Sequence, residues 1–219
     1  TGVEEKSLRC PAAAPLSQET KVLAKAKGEK TSRRYHNCSG KHTSYLAALK
    51  AEGKPLETYL DPANPHHMRL KEILSGFTGR PLEQFVHTTD GCQLPNYALS
   101  TFEMAAFYQS LFGMPQVNQS NPDSMPAPYL SCWSELGPLM EKFPRLISGS
   151  GRLDYKLMTH ETFAELAPTE MRIVAKEGAD GLLGVGVQCP AFPEGLGICI
   201  KLSSGFDNRH MEIILKEIL

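Results

Sequence analysis

Apolar residues recur at helical spacing through the first two thirds of the chain and gather into short alternating runs in the last third. In Thr43 to Glu52 (TSYLAALKAE), good helix formers carry apolar side chains at 45, 46 and 49 and stop at Gly53, which predicts a helix opened by the preceding residues. Asn64-Pro65 sets a capping residue ahead of a proline suited to the first helical position, and Met68, Leu70, Ile73 and Leu74 continue to Gly76. Between Arg9 and Gly28 a loop gives way to a short helix that Ser17 caps, and Ser100 or Thr101 caps another running to Phe112. Trp133, Leu136, Met140 and Phe143 share a helical face within Ser131 to Phe143, where Gly137-Pro138 is expected to break the helix.

The prolines, asparagines and serines between Gly113 and Leu130 predict an irregular surface excursion. Beyond it the period changes. Arg172 to Ala175, Leu182 to Val187 and Leu196 to Leu202 are short apolar or alternating runs parted by glycine-rich turns, as in consecutive antiparallel strands, and Phe206 to Leu219 closes the chain as a helix. Phe85 to Thr89 is an earlier strand ending in the turn Asp90-Gly91-Cys92. Helices first, then a meander and a last helix, predict an α+β fold in which helices pack on an antiparallel sheet. Three strands are few for so many helices. Residues 1–219 suit a single domain.

Composition excludes several classes. With 41% hydrophobic and 21% charged residues the chain should fold, and 23 basic against 24 acidic side chains leave no surplus for phosphates, so nucleic acid is not an expected partner. No run approaches the roughly 18 apolar residues of a membrane span, and TGVEEKSLRC lacks the basic-then-apolar order of a signal peptide. Six cysteines, at 10, 38, 92, 132, 189 and 199, are scattered, which reads as reduced thiols in a cytoplasmic protein. Cys10, Cys132, Cys189 and Cys199 are expected as small buried hydrophobes.

The chemistry concentrates in His36-Asn37-Cys38-Ser39-Gly40-Lys41-His42, "HNCSGKH". Cys38 and His42, with Cys92 from the strand end, form a possible three-ligand metal set with an open position. Alternatively, Ser39 or Cys38 at a helix N-terminus is a nucleophile with Lys41 as its base. Ser39 as a mere helix cap is the plainer alternative.

HNCSGKH, Asp90-Gly91-Cys92-Gln93-Leu94-Pro95, Gly149-Ser150-Gly151-Arg152-Leu153-Asp154, Lys176-Glu177-Gly178-Ala179-Asp180-Gly181 and the segment Lys201 to Arg209 occur in one order. That order, with the lead-in GVEEKSLRCP, resembles the rhizobial-type, zinc-containing L-asparaginases over essentially the whole chain. The resemblance implies a serine β-lactamase/glutaminase-like fold and hydrolysis of the side-chain amide of asparagine to aspartate and ammonia, glutamine being a further substrate. It also implies a homodimer. Position by position it implies zinc ligands at Cys38, Lys41 and Cys92, a substrate pocket lined by His42, Asp90 and Arg152, and a catalytic role for Lys176, the lysine of a Ser-Lys tandem; Ser39, from its place at a helix start and not from the resemblance, is the residue that takes over as nucleophile if this chain is active alone.

The chain departs from the family in three places. No lysine has a serine three residues before it, so the family's N-terminal Ser-x-x-Lys segment is expected to be absent, and Thr1 in place of Met fits that expectation. Tyr35-His36-Asn37 stands where the family has His-Asn-Asn, and Gln93 where it has a small residue. The alternative function is a non-catalytic, asparaginase-like module that binds zinc and small amino acids without turnover.

Overall fold

The structure is a computed structural model that describes residues 1–112, 127–161, 170–205 and 208–219. The chain divides into two compact units, one of residues 1–72 and 80–98, the other of residues 73–79 and 99–219. Its mixture of helices and small antiparallel sheets is an α+β fold.

The first unit holds α1 (Gln18–Ala26), α2 (Ser39–Ala51), most of α3 (Pro65–Thr78), and a hairpin of β1 (His87–Thr89) and β2 (Pro95–Tyr97). Ser17 caps α1, its hydroxyl accepting the Thr20 amide, as its sequence predicts. Asn64 likewise accepts the His66 amide ahead of Pro65. In α2 the buried residues His42, Leu46 and Leu49 fall at helical spacing, so one stripe faces a small core of Leu8, Cys10, Leu46, Leu49, Tyr59, Cys92 and Leu94. The helix opens at Ser39, earlier than the apolar pattern suggests, and HNCSGKH therefore supplies its cap and first turn.

The second unit is built on the antiparallel sheet β3 (Arg172–Glu177), β4 (Leu182–Cys189) and β5 (Phe192–Lys201), the meander that the alternation predicts. One face carries Ile173 and Ala175, then Leu183, Val185 and Val187, then Ile198 and Ile200, all buried. The other face is cut back to glycine where α4 (Thr101–Gln109) crosses. A Cβ at Gly197 would collide with the Ala105 carbonyl, and one at Gly184 with the Tyr108 ring. Ser100 and Glu103 close a capping box on α4. In α8 (Asn208–Ile218), Met211 and Leu215 are buried one turn apart.

Four expectations change. Gly137-Pro138 does not break α5 (Ala127–Lys142), which runs through Pro138. Proline disfavours a helical residue before it by clashing with that residue's Cβ, and Gly137 has none. That same missing Cβ lets the helix lie against the Leu111 carbonyl. The excursion expected from Gly113 lies outside the described residues as far as 126, and α5 has already begun at Ala127. Cys132 is exposed on α5, beside Trp133, which takes the buried position and donates to the Ser110 carbonyl at 3.1 Å. Finally, α6 (Pro144–Ile147) and α7 (Leu153–Met158), together with β2, have no counterpart in the sequence pattern.

Candidate functional site

The first unit gathers the residues of HNCSGKH and of the hairpin turn. Cys38 occupies the cap position of α2 without a side-chain capping bond, its amide donating to His36 Nδ1 at 3.0 Å. Ser39 is therefore not the cap. Its hydroxyl donates to the Arg34 carbonyl at 3.0 Å.

The turn between β1 and β2 is closed by two amides. Asp90 donates to the Leu94 carbonyl at 2.9 Å and Gln93 to the Asp90 carbonyl at 2.8 Å. Gln93 sits in the left-handed region at φ 76°, a conformation glycine adopts freely, which gives a physical reason to prefer a small residue there. Leu94 and Cys92 point into the core, and the turn thereby carries the Cys92 thiol to the start of α2. The ligand atoms of Cys38, Asp90 and Cys92 lie within 4.8 Å of one another. Lys41, one turn into α2, donates to Asp90 Oδ2 at 3.0 Å.

Charge in this cluster is arranged in pairs. Burial, reinforced by the neighbouring Cys92 sulfur, pushes the Cys38 thiol up to about 11. Burial works against the Lys41 ammonium, but its hydrogen bond to Asp90 and the surrounding acidic groups outweigh that and raise it. Burial likewise opposes the Asp90 carboxylate, and Lys41 more than offsets it, holding Asp90 below the usual range. The protonated Cys38 thiol and the Cys92 sulfur thus stand beside an ammonium–carboxylate pair. Two sulfurs with a carboxylate oxygen, or with an amine that has lost its proton, make a donor set that suits a borderline divalent cation. These residues could hold a metal.

His42 is the next residue of the helix and is fully buried. Its Nδ1 lies 2.7 Å from the Tyr59 hydroxyl, whose oxygen accepts the Arg9 amide at 2.7 Å. With the hydroxyl donating its hydrogen bond to His42 Nδ1, the ring's own proton sits on Nε2, for which no hydrogen-bond partner within normal distance is found among the described residues. Burial, aided by Lys41, lowers His42 to about 4. With its ring turned to Tyr59, His42 stands outside the metal-capable group, where Asp90 takes the third place.

Arg152 and Lys176 belong to the second unit. Arg152 caps α7 and pairs with Glu177 at the end of β3. Lys176 donates to the Glu177 carbonyl at 2.8 Å and to Asp154 Oδ2 at 3.3 Å. Asp154, wholly buried, also accepts the Glu177 amide at 3.0 Å, while Glu177 accepts the Leu153 amide at 2.8 Å. The two acids brace α7 against β3 from both sides.

Sequence reasoning singles out Arg152 and Lys176 but passes over Asp154, Glu177 and Tyr59. Each acid stands within two residues of a chosen cation, in Arg152-Leu153-Asp154 and Lys176-Glu177, and that proximity is the signal that could have found them. Tyr59 carries no such mark.

The family model of L-asparaginase II matches this chain over residues 1–219. A comparison with curated proteins finds no match.

Proposed function

The chain belongs to the L-asparaginase II family, and from that premise we propose that it is an amidohydrolase converting L-asparagine to L-aspartate and ammonia, with zinc held beside the substrate. The family match along the entire chain carries this reading. The clustering of Cys38, Asp90 and Cys92 supports the metal.

In this reading Cys38 and Cys92 are two zinc ligands and Lys41 is the third. Lys41 and Asp90 pair with each other here, so whichever of them turns to the metal leaves the other free for an amino-acid substrate. Zinc when bound supplies a Lewis acid and a fixed positive charge. Asp90 then offers the substrate ammonium a counter-charge and His42 backs it from the core of the first unit, while Arg152, in the second unit, is a further substrate-binding residue in this reading. Lys176 holds and moves a proton, and Ser39, at the first turn of α2, is the nucleophile this chain itself offers. The scattered free thiols suit a cytoplasmic protein, and the family resemblance alone suggests a homodimer. No helix among the described residues is long and apolar enough to cross a membrane.

The deciding experiment measures zinc in the purified chain and follows ammonia release from asparagine and glutamine, with Cys38→Ser, Cys92→Ser and Ser39→Ala in parallel. Bound zinc lost from the cysteine variants, together with ammonia from asparagine, is the expected result. A rise in melting temperature with asparagine but no turnover would establish the binding-module alternative instead. Neither zinc uptake nor an effect of asparagine would overturn both, and unchanged turnover in Ser39→Ala would remove the serine.

A further inference from the structure

We infer that Asp154 is the positioning residue for the Lys176 amine, fixing where its ammonium points. This rests on the reading of Lys176 as the proton carrier of the reaction.

A lysine side chain carries about 2 kcal/mol of rotamer entropy, so a proton carrier needs something rigid to hold it. Asp154 is rigid. Its side chain is wholly buried, its Oδ1 accepts the Tyr155 amide at 3.0 Å, and its Oδ2 accepts both the Glu177 amide at 3.0 Å and Lys176 Nζ at 3.3 Å. The amine's other acceptor, the Glu177 carbonyl, belongs to the same brace at 2.8 Å. Two of the three ammonium protons are therefore directed by one fixed frame, and the third is left for whatever reacts. Lys176 is 43% exposed, so that third direction is open to a small molecule.

The other polar groups around the amine leave the electrostatic influence to Asp154. Glu177 turns its carboxylate to Arg152 and to the Leu153 amide. Arg152 Nε comes only to 4.0 Å of Asp154 Oδ1, on the side away from Lys176's oxygen. On the sheet, Lys176 pairs with Gly184, which pairs with Cys199 on β5, and the Tyr108 ring of α4 lies over that glycine. Burial raises both the Cys199 thiol and the Tyr108 phenol, so each faces Lys176 uncharged. Among the described residues, Asp154 is thus the charge that acts on this amine at hydrogen-bond range.

The test compares the full chain with Asp154→Asn, which keeps the shape and an acceptor oxygen but removes the charge. Acetic anhydride labelling at fixed pH, read by mass spectrometry as the rate at Lys176 over that at exposed Lys21, needs no enzymatic activity. An amine released from a fixed carboxylate reacts more freely, and the expected result is a rise of about threefold or more in that ratio. The pH profile for ammonia release should change with it, and Asp154→Glu should restore part of the wild-type ratio. If Asp154→Asn does not fold, Lys176→Met, altered at a half-exposed side chain, reads the same contact in reverse as a changed carbon-13 chemical shift of the Asp154 carboxyl at pH 7. A labelling ratio equal to that of wild type, or an Asp154 carboxyl indifferent to Lys176→Met, overturns the inference. A raised labelling ratio in a chain that releases no ammonia upholds the positioning and overturns only the amidohydrolase reading.

Discussion

Tyr59→Phe isolates one oxygen that ties the lead-in segment to the candidate site. The tyrosine is 1% exposed, and its hydroxyl oxygen accepts the Arg9 amide while its O–H donates to His42 Nδ1, both at 2.7 Å. Phenylalanine keeps the ring and its packing on Leu46 and Leu49, so the loss falls on the two partners. Arg9 is an exposed residue, and water can replace the hydroxyl at its amide. His42 Nδ1 has no such substitute, because its ring is completely buried and its other nitrogen already lacks a partner. A buried acceptor left unmade costs about 1–3 kcal/mol. With a urea dependence near 2 kcal/mol per molar, within the usual range of about 1–3, the midpoint should fall by about 1 M at unchanged slope. Nitrogen-15 NMR of His42 should at the same time lose the wild-type signature of a bare Nδ1 and a protonated Nε2. A midpoint that rises, or falls by less than about 0.2 M, would refute the reasoning, since it would mean that the hydroxyl was not serving a dry imidazole.

Three further outcomes follow. His67 is buried, with Nε2 donating to the Tyr59 carbonyl at 2.7 Å and Nδ1 unpartnered, and burial lowers it from 6.5. The unfolded chain therefore binds a proton before the folded one does, so this contribution to stability is whole above about pH 6.5 and is lost as pH falls below it. Urea midpoints measured from pH 7.5 to 5 should decline in wild type and less steeply in His67→Gln. Gly197→Ala puts a methyl against the fixed Ala105 carbonyl and should cost about 1–3 kcal/mol, whereas Gly149→Ala, with open space around it, should leave the melting temperature unchanged. Zinc at a hundredfold excess over its dissociation constant should stabilise wild type by about 2.7 kcal/mol in a thermal shift assay, and Cys92→Ser should abolish that gain.

The sheet of the second unit was legible because its strands obey a period of two, and because β4 alternates valine or leucine with glycine. Other elements were harder in both units. Pro95, Asn96 and Tyr97 form β2 by pairing with β1, and nothing in three such residues marks a strand. The four and six residues of α6 and α7 are too short for a helical period to show. Pro138 misled because its effect depends on the residue before it, and Cys132 because a single thiol carries no direction. Among the site residues, local spacing revealed the reactive types but not their partners. Cys38 and Cys92 meet only through the hairpin, and Asp154 and Glu177 matter only once α7 is laid against β3.

That division also explains where a metal ion would act on the fold. The turn that delivers Cys92 is held by two backbone hydrogen bonds and by the burial of Cys92 and Leu94 in a core of few large side chains. The helix that delivers Cys38 begins without a side-chain cap, so its first turn too is left partly unsupported. Both weak points carry a thiol, and the two thiols face each other. A cation shared by them would close a long loop in sequence and fasten both elements in one step, since binding free energy at a site the unfolded chain lacks is also folding free energy. Metal affinity and the order of the hairpin are then one quantity measured in two ways, and Lys41 with Asp90, already paired across the same gap, hold the two elements in register for it.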